Sequence, residues 1–478
     1  MRCPSRAADG RGIMTHILII GGSDAGVSAG LRARHVDPSV ETTVVAADAF
    51  PNYSICGIPY HISGDVPDWR NLAHRTRDDL EHAGLRLLLD TRARHIDPTS
   101  RTVTVSGPGG RDEELRYDRL IIGTGAVPVR PPIAGLHELT PADGVHLLHT
   151  MDDTLSLAET LQRGPESALI VGAGYIGLEM AEALHARGLQ VTVVEQIPQV
   201  LGTVDPQLAT LVADELTRHG VRVVTDTTVT EVAREGGRLK VTGHSTNQLG
   251  DSGSFSQITD VVLVVVGVRP DTALAQTAGV RLRVRGAIAV DRHMRTGVPD
   301  VYAAGDCVHT YHRLLDTNTY LPLGSTSHKQ GRVAGENATG GDRQFAGSLG
   351  TQAVKVFDLV AARTGLRDAD AREHGFDPAT HVARVDDHKA YYPRAKPVTI
   401  AITGDQRSGQ LLGAQLVGHR DTAVATRVDI YAGALHHRMT VDALTDLDLS
   451  YTPPLGSPWD AVQTAAQRWV SARTADLP

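Results

Sequence analysis

The residues of this chain best suited to chemistry are a cysteine and the turns around it. Cys56 lies in Pro51-Asn52-Tyr53-Ser54-Ile55-Cys56-Gly57-Ile58-Pro59-Tyr60, a glycine- and proline-flanked stretch downstream of the glycine turn Gly21-Gly22-Ser23-Asp24-Ala25-Gly26. The chain has 3 cysteines, Cys3, Cys56 and Cys307, and none is near another in sequence. That spacing excludes a disulfide framework, a local dithiol and a zinc-finger-type site. A solitary thiol works as its thiolate and cycles through a mixed disulfide or a sulfenic acid. Electrons must then reach Cys56 from elsewhere in the molecule. Cys307, directly after Asp306, reads as packed and inert, and no metal site is expected, including at His309 and His312.

The elements that would position the thiol follow from the glycine turns. His16–Ile20 has strand length and runs into Gly21, Gly22, Ser23, Ala25 and Gly26, followed by a helix over Val27–His35. This order places backbone N–H groups and a helix N-terminus under a pyrophosphate. Ser23 stands where the middle glycine is usual. Ala46 and Ala47 stand where the next strand should end in a ribose-binding acid, which leaves Asp48 as the nearest candidate. Tyr117–Ala126 is a further strand entering a small-residue turn with Thr124, Gly125 and Ala126.

A second unit opens at Ala168–Val171 with Gly172-Ala173-Gly174-Tyr175-Ile176-Gly177, a helix over Leu178–Arg187 and a strand ending at Glu195. All three glycines are present, and Glu195 suits a ribose 2′-hydroxyl while repelling a 2′-phosphate. No arginine follows it in residues 196–199, so NADH is favoured over NADPH. Ser245–Gln257 reads as a long hairpin loop. Val301–Asp306 again delivers a glycine and an acid, so the first unit is interrupted by the second. Beyond 345, strand patterns at Val398–Ile402 and Leu411–Val417 and a helix over Thr422–Leu435 indicate an α+β unit.

At 478 residues with a formal net charge of -8, the chain suits several domains and shows no basic stripe for nucleic acid. Its apolar runs, such as Val261–Val266, are far shorter than the ~20 residues that span a bilayer and read as buried parallel strands. A polar stretch precedes Met14, and cysteine usage fits the cytoplasm.

With these motifs in hand, the chain resembles the FAD-dependent pyridine nucleotide-disulfide oxidoreductases, and most closely their single-cysteine branch. That branch includes coenzyme A-disulfide reductases, persulfide reductases, NADH oxidases and NADH peroxidases. The resemblance rests on Cys56–Tyr60, the Gly172–Gly177 turn, Val301–Asp306, Tyr391-Tyr392-Pro393 and Leu449–Pro454. It implies an α/β protein with two Rossmann-like nucleotide-binding domains, for FAD (14–149 and 276–340) and for NAD(P)H (150–275). It also implies a homodimer built on an α+β domain over 345–470, with residues 1–13 a disordered extension.

By the same resemblance FAD would meet Gly21, Gly22, Ser23, Ala25, Gly26, Asp48, Ala93, Thr124, Gly125, Ala126, Arg130, Gly305, Asp306, Leu323 and Gly324. NAD(P)H would meet Gly172, Gly174, Tyr175, Ile176, Gly177, Glu179, Glu195 and Gly267, with Tyr175 shielding the flavin. Cys56 would be catalytic, assisted across the dimer by Tyr392 and Tyr451. Arg34, Asn52 and Ser54 would face a small thiol or disulfide substrate, with CoA the first to consider. Asp24 replaces the histidine of the peroxidase and oxidase relatives. Ile55 and Asn52 replace the asparagine and serine usual in coenzyme A-disulfide reductases. An oxygen-reducing NAD(P)H oxidase and a reductase of a protein partner such as a ferredoxin are the alternatives.

Overall fold

The computed structural model describes residues 14–246 and 252–475; the N-terminal extension and Cys3 lie outside them. Among the described residues, three five-stranded sheets organise the fold. In the first, the order is Val301–Ala303, Arg119–Ile122, His16–Ile20, Glu41–Val45, Leu85–Leu88, and all neighbours are parallel. Ile17, Leu18 and Ile19 are fully buried because helices or strands cover both faces, which is why the strand reads as a continuous apolar run. The second sheet, Arg222–Val224, Gln190–Val194, Ser167–Val171, Val261–Val264, Val145–Leu147, is likewise all parallel. Its strands fall in sequence between Arg119–Ile122 and Val301–Ala303, so the first unit is split by the second. Antiparallel pairing of Ala126–Pro128 with Val268–Pro270 marks where the chain leaves and returns.

The third sheet is antiparallel, in the order Gln352–Val356, Leu359–Gly365, Leu411–His419, Pro397–Asp405, Pro378–Asp386. Helices Val424–His436 and Ala461–Ala475 pack on it around Tyr431 and Trp469. One expectation fails. Of the stretch read as a loop, residues 247–251 lie outside the described residues, Ser245-Thr246 ends the strand Arg238–Thr246, and Ser252–Thr259 is a strand paired with it. Its Gly and Ser residues lower strand propensity, but the pairing supplies the missing drive.

One helix contact positions the candidate site. The helix Asp24–Val36 meets the helix Gly324–Ala338 so closely that a Cβ on Gly331 or Gly335 would lie 2.2 or 2.1 Å from the Ala25 or Ala29 carbonyl oxygen. Only glycine permits that approach. Among the described residues no helix is long and apolar enough to cross a membrane.

Candidate active site

Cys56 is carried on a single turn, Ile55–Gly57, ahead of the short helix Ile58–Ser63. Three hydrogen bonds hold this loop. Asn52, buried and in the left-handed region (φ 59°), donates its N–H to the Gly22 carbonyl at 2.7 Å and accepts from the His74 N–H at 3.0 Å. The Ser54 N–H donates to the Leu72 carbonyl at 2.8 Å. Beyond the cysteine, Ile58 and Ile62 are buried in the same core as Leu178, Ala181 and Leu184 of the helix Tyr175–Ala186. Each such side chain contributes about 1.5–3 kcal/mol by leaving water. The thiol is thereby pinned between the first glycine turn and the helix of the second.

Its electrostatic surroundings differ from what a reactive thiolate suggests. Cys56 is open to solvent at the cleft mouth, yet the protein mass behind it and then the carboxylates of Glu179, Asp24 and Asp306 push the thiol above its ordinary value. Burial, reinforced by Glu182, pushes Glu179 up to about 7, against the Tyr60 hydroxyl 3.5 Å away and against Lys355. Tyr60 is itself pushed up to about 12 by burial and by Glu179 and Glu182. Lys355, from the third sheet, pairs with Glu182 and lies 5.8 Å over the Tyr60 ring. Burial also pushes Asp24 and Asp306 up, Asp306 despite a 2.7 Å bond from Ser327 Oγ.

Both helix N-termini that follow glycine turns lack a side-chain cap, at Ser23 and at Gly174, so their first N–H groups are available to phosphates. A Cβ on Gly177 would fall 2.0 Å from the Gly172 carbonyl oxygen, whereas one on Gly174, Gly125 or Gly267 would meet nothing within 4 Å. This closed-behind, open-in-front arrangement fits dinucleotides. A Cβ on Gly22 would lie 2.8 Å from Ala46 Cβ, a physical reason for an alanine at that strand end. Asp48 accepts from the Phe50 N–H at 2.8 Å, within its own turn. Glu195 accepts from the Ala173 and Ile197 N–H groups at 2.8 and 3.1 Å, which sets its carboxylate beside the second turn.

Other expected contacts are placed as follows. Gly305 packs against Ala25, which joins the late acid turn to the first glycine turn. Gly21 backs onto Gly123, while Gly26 closes on Gly21. The Thr124 hydroxyl donates to the Asp271 carbonyl at 2.6 Å, and Ala126 pairs with Pro270. Leu323 precedes the helix beginning at Gly324. Ala93 faces Val105 at a bulge, Ile176 is half-buried and Arg130 is exposed. Tyr175 is held by a 3.3 Å bond from Thr203 Oγ1. Arg34 lies in the last turn of its helix and donates to the Pro38 and Val40 carbonyls, away from the glycine turn. Tyr392 and Tyr451 stand exposed on the third unit.

Sequence reasoning missed Tyr60, Glu182 and Lys355 as neighbours of Glu179, and it missed His74, His328 and Ser28 beside Asp24. The i, i+3 spacing of Glu179 and Glu182 on one helix face was the available signal. Nothing local marks the others, which come from separate stretches. Cys307 is buried, its Sγ 3.4 Å from the Ala304 carbonyl oxygen.

Comparison with known proteins agrees with this geometry. Residues 15–331 match the family described as "Pyridine nucleotide-disulphide oxidoreductase", and residues 351–462 its dimerisation domain. The "NADH oxidase" of Methanocaldococcus jannaschii is 30% identical over 94% of this chain and 97% of that protein. The "NAD(P)H coenzyme A polysulfide/persulfide reductase" of Pyrococcus horikoshii is 30% identical over 96% and 99%. The solved "NAD-Dependent Persulfide Reductase from A. fulgidus" superposes with a TM-score of 0.90 at 36% identity, covering 96% of this chain and 84% of that one. Two glycine-turn units, a thiol between them and a dimerisation unit thus place the chain in the pyridine nucleotide-disulphide oxidoreductase family, whose members use FAD and NAD(P)H.

Proposed function

We propose that this flavoprotein NAD(P)H oxidoreductase reduces a low-molecular-weight disulfide, persulfide or polysulfide of the CoA class through Cys56, and that it acts as a homodimer. The observation that carries this reading is the solitary thiol at the cleft mouth where the two nucleotide units meet. The only other cysteine among the described residues, Cys307, is sealed inside the first unit. The P. horikoshii and A. fulgidus relatives, by their names, reduce persulfides.

The Gly21–Gly26 turn, Thr124, Gly125 and Asp306 would hold FAD, which when bound would supply a two-electron relay from NAD(P)H to the sulfur. NADH is the preferred donor because the Glu195 carboxylate beside the second turn accepts from a ribose hydroxyl and repels a phosphate. The Cys56 thiolate attacks the disulfide R–S–S–R, forms Cys56–S–S–R and releases RS⁻, which takes up a proton. Two electrons then cleave the mixed disulfide, regenerating the Cys56 thiolate and releasing a second RS⁻. The overall balance is R–S–S–R plus two electrons and two protons giving two RSH. For a persulfide R–S–SH the products are RSH and H₂S. Glu179, poised at about 7, is the group able to hold or give a proton at the cleft mouth. Tyr391, Tyr392, Tyr451, Leu455 and Trp459 are exposed on the third unit, an apolar surface of the kind that a second copy covers.

The test is anaerobic reduction of the purified flavoprotein with NADH, followed by CoA disulfide, CoA persulfide and oxygen in separate mixes. Reoxidation by the sulfur acceptors that disappears in Cys56→Ser supports the reading. Rapid NADH consumption in air with no need of Cys56 or a sulfur acceptor would instead make the protein an oxidase. That alternative is kept alive by the M. jannaschii relative's name.

A further inference from the structure

Asp24, His74 and His328 come from three separate stretches, and the structure brings one carboxylate oxygen and two imidazole nitrogens all within 4.8 Å of one another. We propose that these three residues form a binding site for a divalent transition-metal cation of the Zn²⁺ class, beside the thiol cleft.

Four features of the geometry support a cation rather than a plain ion pair. The Asp24 Oδ1 lies 3.4 Å from His328 Nε2, within Coulombic range, yet it is buried and has no hydrogen-bond partner. At that separation, with no aligned N–H···O bond, the carboxylate oxygen is left unsatisfied and free to take a further ligand. The opposite nitrogen of the same ring, Nδ1, is bonded to Ser28 Oγ at 2.8 Å. If Nδ1 carries the proton, Nε2 presents its lone pair toward Asp24, the arrangement in which an outer partner orients a metal-bound imidazole. The His74 ring sits 6.2 Å from the His328 ring at 71°. Its backbone is tied to Asn52, while its side chain is exposed and can turn inward. Finally, Gly324 leaves room for the carboxylate, because a Cβ there would stand 3.2 Å from Asp24 Oδ2.

The donor set selects the cation. Two imidazoles and one carboxylate are too nitrogen-rich for Ca²⁺ or Mg²⁺ and suit Zn²⁺, Co²⁺ or Ni²⁺, with the remaining positions taken by water. Ligand distances of ~2.0–2.2 Å require the three groups to draw together by an ångström or so, which the exposed His74 can supply. A second triad, Glu215, His219 and Asp358, meets the same spatial criterion but is already neutralised. Arg218 donates to both Glu215 oxygens and to Asp358. Among the described residues no arginine or lysine pairs with the Asp24 carboxylate, which faces the two histidines and also acts through space on Cys56 and Asp306.

The experiment is equilibrium dialysis of tag-free, FAD-loaded enzyme against Zn²⁺, with metal counted by elemental analysis and Co²⁺ as a spectroscopic probe. One Zn²⁺ per protomer is expected at micromolar free metal, with a Co²⁺ ligand-field band beyond the flavin absorption. His74→Gln, at an exposed position, should weaken binding at least tenfold. His328→Gln and Asp24→Asn should abolish it, with metal counted per flavin-loaded chain so that each variant is compared at equal FAD loading. Binding should persist in Cys56→Ser, because the thiol is not one of the three ligands. No stoichiometric binding, or binding that survives His74→Gln and His328→Gln but vanishes with Cys56→Ser, overturns the proposal. Because the readout is metal content, this result is independent of which acceptor Cys56 reduces.

Discussion

Glu179→Gln is the perturbation that tests the cleft electrostatics most directly. Among charged neighbours, Glu179 is the one that most raises the Cys56 thiol, and it titrates at about 7. At pH 6 it is about nine-tenths protonated in the wild type, so replacing it with glutamine changes little. At pH 9 it is almost wholly ionised. A unit charge ~10 Å away at an effective dielectric of ~20 shifts a neighbour by about one pKa unit, or about tenfold in thiolate. Burial and the nearby carboxylates push the thiol above its ordinary value, and alkylation follows its thiolate fraction. The assay is the iodoacetamide rate at Cys56, read by intact mass on FAD-loaded protein. The ratio of variant to wild type should be near one at pH 6 and climb severalfold by pH 9, with about ten as the ceiling set by a one-unit shift. A ratio that is flat with pH, or below one at pH 9, refutes the reasoning. Stability has a matching signature. The rise of Glu179 from 4.5 to about 7 corresponds to roughly 3 kcal/mol of differential stabilisation of its protonated form. That contribution is fully present below pH 4.5 and is lost as pH rises through 7, so the variant should resist urea better than wild type at pH 8 and equally at pH 4.5.

Three further outcomes are expected. Gly177→Ala drives a Cβ into the Gly172 carbonyl, so flavin content should stay normal while NADH affinity falls at least tenfold; unchanged flavin reduction at low NADH would falsify this. Arg427→Met leaves the half-buried Asp460 without the guanidinium of buried Arg427 that now donates to it at 2.7 Å, costing about 3 kcal/mol; urea denaturation followed by tryptophan fluorescence reads the loss. Trp459→Glu charges the exposed apolar face of the third unit. Light scattering should then show monomers where the parent protein gives dimers, and a variant that remains dimeric would remove that face from the interface.

Parts of this architecture are legible along the chain because local physics and tertiary physics agree there. The run Ala168–Val171 followed by Gly172, Gly174 and Gly177 needs no distant information. The turn demands glycine at Gly172 and Gly177, and the strand is apolar because both of its faces are covered. The strand Ser252–Thr259 is a counter-example: it has little intrinsic strand preference, and its partner Arg238–Thr246 decides its state. The thiol is another. A lone cysteine after a nucleotide turn implies a lowered pKa, whereas Glu179, Asp24 and Asp306, none of them adjacent in sequence to Cys56, push it the other way.

By itself, then, the sequence determined the two nucleotide units, the interruption of one by the other, and which thiol is accessible among the described residues. These depend on spacing within a few residues, where backbone geometry allows few solutions. The tertiary structure alone decided what surrounds that thiol. The helix contact through Gly331 and Gly335 carries His328 to Asp24, and the docking of Ile58 and Ile62 carries Cys56 to Glu179. Charge interactions act through space between side chains that the chain separates by hundreds of residues, so their sum appears only once the domains have packed.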